Sequence, residues 1–167
     1  MLEVKQKEFI NIQFAEKTDI ENLENLFSKA YVKMNLKKYG IHYNKDDVLY
    51  KLSVFINDGR AIVLKSVNQH MELLGACIAF SFPTLYCVNK TAISVIALQA
   101  DGQLTKYKQS KIVLHLIKYL EKIGEQLNCS RLSINLAVNE FDFSRYLKRN
   151  KYKKTDEIYS RRFNYGN

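Results

Sequence analysis

The sequence predicts an α/β (α+β) fold with the element order βααβββαβαβ. Three observations carry that expectation. Two amphipathic helices precede a strand hairpin, a long helix of three-and-four periodicity follows a third strand, and an alternating strand follows that helix.

Taken in order, residues 9–14 (FINIQF) alternate like a short strand. Thr18-Asp19-Ile20-Glu21 reads as a capping box, opening a helix whose apolar positions are Ile20, Leu23, Phe27, Ala30 and Met34. In the second helix Asn44 is the cap and Asp46 and Asp47 suit the positive end. Val48, Leu49, Leu52, Phe55 and Ile56 form its buried stripe, and Gly59 fits a left-handed stop. Residues 61–65 (AIVLK) and 73–82 (LLGACIAFSF) flank a polar turn over 67–72, which predicts a hairpin. Residues 90–99 (KTAISVIALQ) supply the third strand of this region.

The stretch 105–129 is the most informative in the chain. A basic polar segment bearing Lys106, Lys108 and Lys111 runs into a helix whose face carries Ile112, Val113, Leu116, Ile117, Leu120 and Ile123. The start of such a helix offers unsatisfied N–H groups and a partial positive charge, which together favour an anion. The bland alternative is a surface helix with a solvated lysine face. Beyond it, residues 131–137 alternate Leu132, Ile134 and Leu136 as a strand, residues 140–150 read as a short helix, and residues 157–163 as a last strand.

Composition narrows the class. The 167 residues suffice for one filled core, and with 6 Gly, 1 Pro and no repeat or linker they predict a single domain over 1–167. No apolar run has the length of a membrane span, and the opening MLEVKQKEF has no apolar signal region, so a cytoplasmic protein with no membrane partner is expected. Cys77, Cys87 and Cys129 are odd in number and lack ligand spacing, and His42, His70 and His115 are scattered, so free buried thiols and no metal site are expected. The net charge of +9 gathers in the segment before the long helix and in residues 145–154, from Arg145 to Lys154, with Arg161 and Arg162 after it. Anionic partners follow. Nucleic acid is one candidate, since Tyr146 and Tyr152 interleave with the cations of that stretch.

Over nearly the whole chain this layout resembles the GCN5-related N-acetyltransferase (GNAT) family. The resemblance rests on the opening strand with Thr18-x-x-Glu21, on Gly75 after the apolar pair Leu73-Leu74, and on the helix from His115 to Cys129 running into the strand at Arg131. It rests also on Asn139 followed by Arg145-Tyr146-Leu147-Lys148-Arg149-Asn150-Lys151-Tyr152. It implies a mixed, mostly antiparallel sheet flanked by helices, acetyl-coenzyme A as cofactor, and transfer of the acetyl group to an amine on a small molecule or protein. The pantetheine would pair with backbone at Ile96, Ala97, Leu98 and Gln99, one N–H of which would polarise the thioester carbonyl. The pyrophosphate would lie over Lys108, Gln109, Ser110, Lys111, Ile112 and Val113, with Asn139 a further cofactor contact. The family's phosphate loop has Arg or Gln, two residues, Gly, one residue, then Gly or Ala; here Lys108 takes the first position while Lys111 and Val113 replace the small residues. A register shifted by three would instead use Thr105, Lys108 and Ser110.

The resemblance also implies a tyrosine on the last helix that protonates the departing thiolate. Tyr146 is the candidate catalytic acid, with Leu147 at that position in a second alignment. For the general base the sequence offers Asp101, Glu72 or a water chain. The amine groove would be built by residues 19–34 and 45–58 and the long strand, with Tyr31, Tyr39, Tyr43, Tyr50 and Phe82 as its aromatic candidates. A chain of this fold that has lost acyl chemistry and binds a partner or nucleic acid is the alternative reading.

Overall fold

The strand runs pair with one another in chain order, whether a turn or helices lie between them. The computed structural model describes residues 9–39, 42–84, 90–134 and 144–152. β1 (Asn11–Phe14), β2 (Ile62–Val67), β3 (Leu73–Pro83), β4 (Thr91–Ala100) and β5 (Arg131–Ile134) form one sheet in the order β1-β2-β3-β4-β5. β1 to β4 are antiparallel to their neighbours and β4 and β5 are parallel. The parallel pair follows from connectivity, because α3 (Lys106–Gln126) lies between those strands and carries the chain back along the sheet. This is the mixed, mostly antiparallel sheet that the family resemblance implies. Residues 135–137 and 140–143 and the strand expected over 157–163 lie outside the described residues.

Strand alternation sorts the core into two layers. Leu64, Cys77, Ile93 and Val95 face Ile112, Leu116, Ile117 and Leu120 of α3. Val63, Ala76 and Ile78 face the other way, against Leu23 and Leu26 of α1 (Ile20–Lys33) and Leu52 of α2 (Lys45–Asn57). A short α4 (Ser144–Arg149) adds Leu147 to the α3 side. Among the described residues no helix is long and apolar enough to cross a membrane.

The helix starts show where local signals hold and where they yield. Asn44 caps α2 as expected, its Oδ1 accepting from the Asp47 N–H at 3.2 Å, and Gly59 beyond the helix has φ 61°. At α1 the capping box is displaced. Residues Lys17–Asp19 form a separate 3-10 turn, and Asp19, not Thr18, stands at the N-cap of α1. The reason is tertiary: Lys65 of β2 is only 6% exposed and its Nζ donates to both Asp19 oxygens, at 2.8 and 2.7 Å. A buried ammonium needs a counter-charge, so Asp19 turns to it and also accepts from the Glu16 N–H at 2.7 Å, closing the turn.

Candidate functional site

β4 positions the first half of the site. Its register against β3 runs Ile78↔Ala97 and then Ala79↔Val95, so Ile96 is an extra residue, a β-bulge. The bulge pushes Ile96 to 51% exposure next to Val95 at 0%. On the C-terminal side of the bulge, the Asp101 N–H donates to the Leu74 carbonyl at 2.8 Å, and the Gln99 carbonyl oxygen points at Gly75, 2.7 Å from where a Cβ would stand. Gln99 and Asp101 therefore direct their backbone groups toward β3. By alternation Ala97 does the same, while Leu98 and Ala100 direct theirs toward the β5 edge. The Ala100 carbonyl there accepts from Gln99 Nε2 at 2.7 Å. Among the described residues, pairing with β5 spans Ala92 to Val95. Of the strand residues predicted to meet a pantetheine, Leu98 is thus the one past the bulge whose N–H and C=O face that edge.

The end of β4 leads into the second half, the start of α3. Thr105 is the N-cap, its Oγ1 accepting from the Lys108 N–H at 3.4 Å, and the first helical bond runs from the Gln109 N–H to the Thr105 carbonyl at 2.9 Å. The helix thus begins earlier than the phosphate-loop register implies. The N–H groups of Ser110, Lys111, Ile112 and Val113 belong to the helical ladder, and those of Lys106 and Tyr107 precede it. The side chains divide by helical phase. Ile112 and Val113 are 1% and 2% exposed and fill the core. Gln109 is buried with its Nε2 donating to the carbonyls of Gly102 and Leu104, and Ser110 Oγ donates back to the Lys106 carbonyl at 2.9 Å. Lys106 is exposed, while Lys108 and Lys111, expected to be exposed, are half-buried. Lys33 at the end of α1 also reaches this loop, its Nζ 3.7 Å from the position of a Cβ on Gly102. Nothing in the sequence links Lys33 to residue 102, since the contact joins distant parts of the chain.

Bulky residues at the small positions consequently leave the helix start open. Val113 points into the core and Lys111 lies along the helix surface. The donor set, two N–H groups at a helix N-terminus with lysines around it, suits a pyrophosphate.

α4 carries Tyr146 in its middle. Leu147, one residue on, is half-buried against the α3 core cluster. Asn139 lies outside the described residues, and so does the side chain of Tyr146. Tyr152 packs, its O–H donating to Glu121 of α3 at 2.7 Å and its N–H to the Leu147 carbonyl at 2.9 Å. Lys148 and Arg149 are exposed.

The aromatic candidates separate. The Tyr31 and Tyr43 rings lie 5.2 Å apart, and the Tyr43 O–H donates to Glu24, which is 6% exposed on α1. Burial first, then the hydrogen bond to the Glu24 carboxylate and its charge, holds the Tyr43 phenol above the ordinary tyrosine range, so it is a fixed donor. Phe80 of β3 packs edge-on against Phe55 of α2 at 5.1 Å, Phe82 is 45% exposed, and Tyr50 is turned out to solvent. The backbone of Tyr39 ends a 3-10 turn, Leu36–Tyr39. Asp101 and Glu72, both raised as bases, line one cleft beside α1. At about 3.3 Å per strand residue Asp101 lies about 13 Å beyond Ala97, far from the bulge. Among the described residues no three His, Cys, Asp or Glu side chains gather as a metal site.

With this geometry the fold matches solved proteins although the sequence does not. No family profile and no curated protein matches the sequence. An aminoglycoside N-acetyltransferase solved with coenzyme A superposes with TM-score 0.71 at 11% identity, over 96% of this chain and 99% of its own. A ribosomal-protein-alanine N-acetyltransferase from Brucella melitensis biovar Abortus 2308 gives 0.68 at 17% identity, over 92% and 99%. A transcriptional regulator from Bacillus halodurans C-125 gives 0.72 at 14%, over 93% and 100%. The chain has the GNAT fold.

Proposed function

We propose that the protein is an acetyl-coenzyme A-dependent N-acetyltransferase acting on an amine. The observation that carries this reading is the bulge at Ile96 on the same strand whose end feeds the capped, lysine-bearing start of α3. Two kinds of donor are thereby held on one rigid segment. Strand groups at Leu98 suit an amide-bearing arm, and the Lys106 and Tyr107 N–H groups with Lys106, Lys108 and Lys111 suit its phosphates. The fold neighbours, one of them a coenzyme A complex, support it.

Acetyl-coenzyme A supplies an activated acyl carbon when bound. The chain's own contribution is then threefold. A β4 N–H directed at the carbonyl oxygen stabilises the charge that develops there as the amine adds. Lysines at the α3 start hold the phosphates and so fix the position of the acyl group. Tyr146 supplies the proton that the departing sulfur takes up, and the packing of Leu147 into the core supports Tyr146 over Leu147 in this role.

A thermal shift is the first test. Acetyl-coenzyme A at about 100 times its dissociation constant stabilises by about 2.7 kcal/mol, and no shift at millimolar ligand overturns the proposal. Tyr146→Phe, assayed on a panel of amines, retains cofactor affinity and loses roughly 10²–10⁴-fold in turnover; an unchanged rate removes Tyr146 from the mechanism. A second reading, a partner- or nucleic-acid-binding domain without acyl chemistry, is favoured by the exposed Lys148 and Arg149 and by the transcriptional regulator of the same fold. It requires salt-dependent DNA or RNA binding that Lys148→Glu weakens.

A further inference from the structure

Away from the bulge, a cleft of about 340 Å³ opens between α1 and the end of the sheet where β3 begins and β4 finishes. That volume falls within the ordinary range for small-ligand sites. Its two walls carry opposite charge. On α1, Asn22, Asn25 and Lys29 follow one another at helical spacing and share one face. Lys29 is exposed and has no ion-pair partner among the described residues. On the sheet wall stand Glu72 and Asp101, brought together by the Asp101 N–H bond to the Leu74 carbonyl.

Both carboxylates are held before any ligand arrives. Asn68 Nδ2 donates to Glu72 Oε2 at 2.6 Å, while Asn68 Oδ1 accepts from the His70 and Glu72 N–H groups at 2.9 and 3.0 Å. Asp101 Oδ1 accepts from the Gln103 N–H at 3.0 Å. Each carboxylate keeps its second oxygen uncommitted among the described residues. Between the charged walls lie Leu26, Leu73 and Met71. Met71 is 60% exposed and sits at φ 63°, a left-handed conformation that a residue with a side chain adopts at a cost, here in the turn that bounds the cleft.

We infer that this cleft binds a small zwitterion, an α-amino acid with an apolar side chain. Its ammonium pairs with Glu72 and Asp101, its carboxylate with Lys29 and the Asn22 and Asn25 carboxamides, and its side chain with Leu26, Leu73 and Met71. A zwitterion matches the two walls end for end, its ammonium against the two carboxylates and its carboxylate against the lysine. The site is separate from the acyl-transfer reading. Asp101 lies about 13 Å from Ala97, so an amine held there is out of reach of an acyl group at the bulge.

The test is calorimetric titration of the whole chain with glycine, L-leucine, L-methionine, L-glutamate and L-arginine. Alongside run L-leucinamide, which lacks the carboxylate, and N-acetyl-L-leucine, which lacks the ammonium. L-leucine or L-methionine binds most tightly of the amino acids, and each truncated analogue binds roughly tenfold more weakly, the usual loss with a charge-assisted hydrogen bond. Lys29→Met lowers L-leucine affinity roughly tenfold and changes L-leucinamide affinity far less, because the neutral amide offers Lys29 no charge to pair with. Asp101→Asn, which preserves an acceptor for the Gln103 N–H and so the fold of the turn, weakens L-leucine and L-leucinamide alike. Unchanged melting temperature and coenzyme A affinity of the Lys29 variant show that the loss is local. No binding of any of these amino acids at about 10 mM, or L-leucine binding indifferent to Lys29→Met, overturns the inference.

Discussion

Replacing Gly75 by alanine tests whether the close approach of β3, β4 and α3 is as tight as the geometry says. A Cβ on residue 75 would lie 2.7 Å from the Gln99 carbonyl oxygen, 2.8 Å from Ile112 Cγ2 and 3.2 Å from Ala100 Cα. Carbon atoms pack at about 3.5–4.0 Å, so the methyl group intrudes on all three. The Ile112 side chain has some freedom, but two of the three obstacles are β4 backbone, and they move only if the strands part. Overpacking of this kind costs about 1–3 kcal/mol. For a chain of this size each kcal/mol lowers the melting temperature by about 2–4 °C, so a fall of about 2–12 °C is expected. Gly124 supplies the opposite sign within the same protein. Its Cβ would meet Ile93 Cδ1 at 3.7 Å and Cys129 Cβ at 3.9 Å, ordinary contacts, and it sits inside α3. Gly124→Ala therefore stabilises by about 0.5–1 kcal/mol through helix propensity. Urea unfolding of both variants reads the two signs directly, the midpoint falling in one and rising in the other at unchanged slope. Adding Ile112→Ala to Gly75→Ala gives no rescue, because the Gln99 oxygen remains. A Gly75→Ala protein as stable as the parent, or one rescued by Ile112→Ala, refutes the reasoning.

Lys65→Ala strands the Asp19 carboxylate beside the sheet and lowers stability by about 3–5 kcal/mol, read from urea midpoints; a loss below about 1 kcal/mol would mean that the pair is solvated. Burial pushes the Cys77 thiol up to about 12, so in the native protein at about pH 8 iodoacetamide labels Cys129 well before Cys77, followed peptide by peptide in a mass spectrometer. His115 has its pKa lowered from 6.5 by burial, with Lys111 and Lys118 adding repulsion. The unfolded chain therefore binds the extra proton between the depressed folded value and 6.5, and stability rises with pH through that window and is fully present above it. His115→Gln flattens this part of the profile, which urea midpoints at about pH 5.5 and about pH 7.5 measure. Lys108→Glu weakens coenzyme A binding in calorimetry while leaving the melting temperature within about 4 °C of the parent, as expected for a half-buried side chain in the first turn of a helix.

What was legible in the sequence was what neighbouring residues decide among themselves. The periodicities of α1, α2 and α3, the Asn44 cap and the hairpin turn all depend on contacts within a few residues or on one strand's alternation, and each appears as read. The reading weakened where a partner comes from afar. Thr18 looks like a cap until Lys65, 46 residues from Asp19, draws that carboxylate away. Lys65 itself closes a strand run that suggests a polar end, and it is buried.

The sequence by itself determined the order of elements, the resemblance that pointed to this fold, and the cationic approach to α3, because periodicity and charge are carried by the residues themselves. Only the tertiary structure decided the bulge at Ile96, which exists solely as a mismatch between two strands, and the direction of the Leu98 backbone groups toward the β5 edge. It also set the start of α3 at Lys106 with Thr105 as its cap, and it buried Val113 on the core face that the periodicity had already assigned to it, so that its size does not obstruct the helix start. The charged cleft beside α1 belongs to the same class. Asn22 and Lys29 share a helix face, but folding alone sets the charge of Lys29 across from those of Glu72 and Asp101.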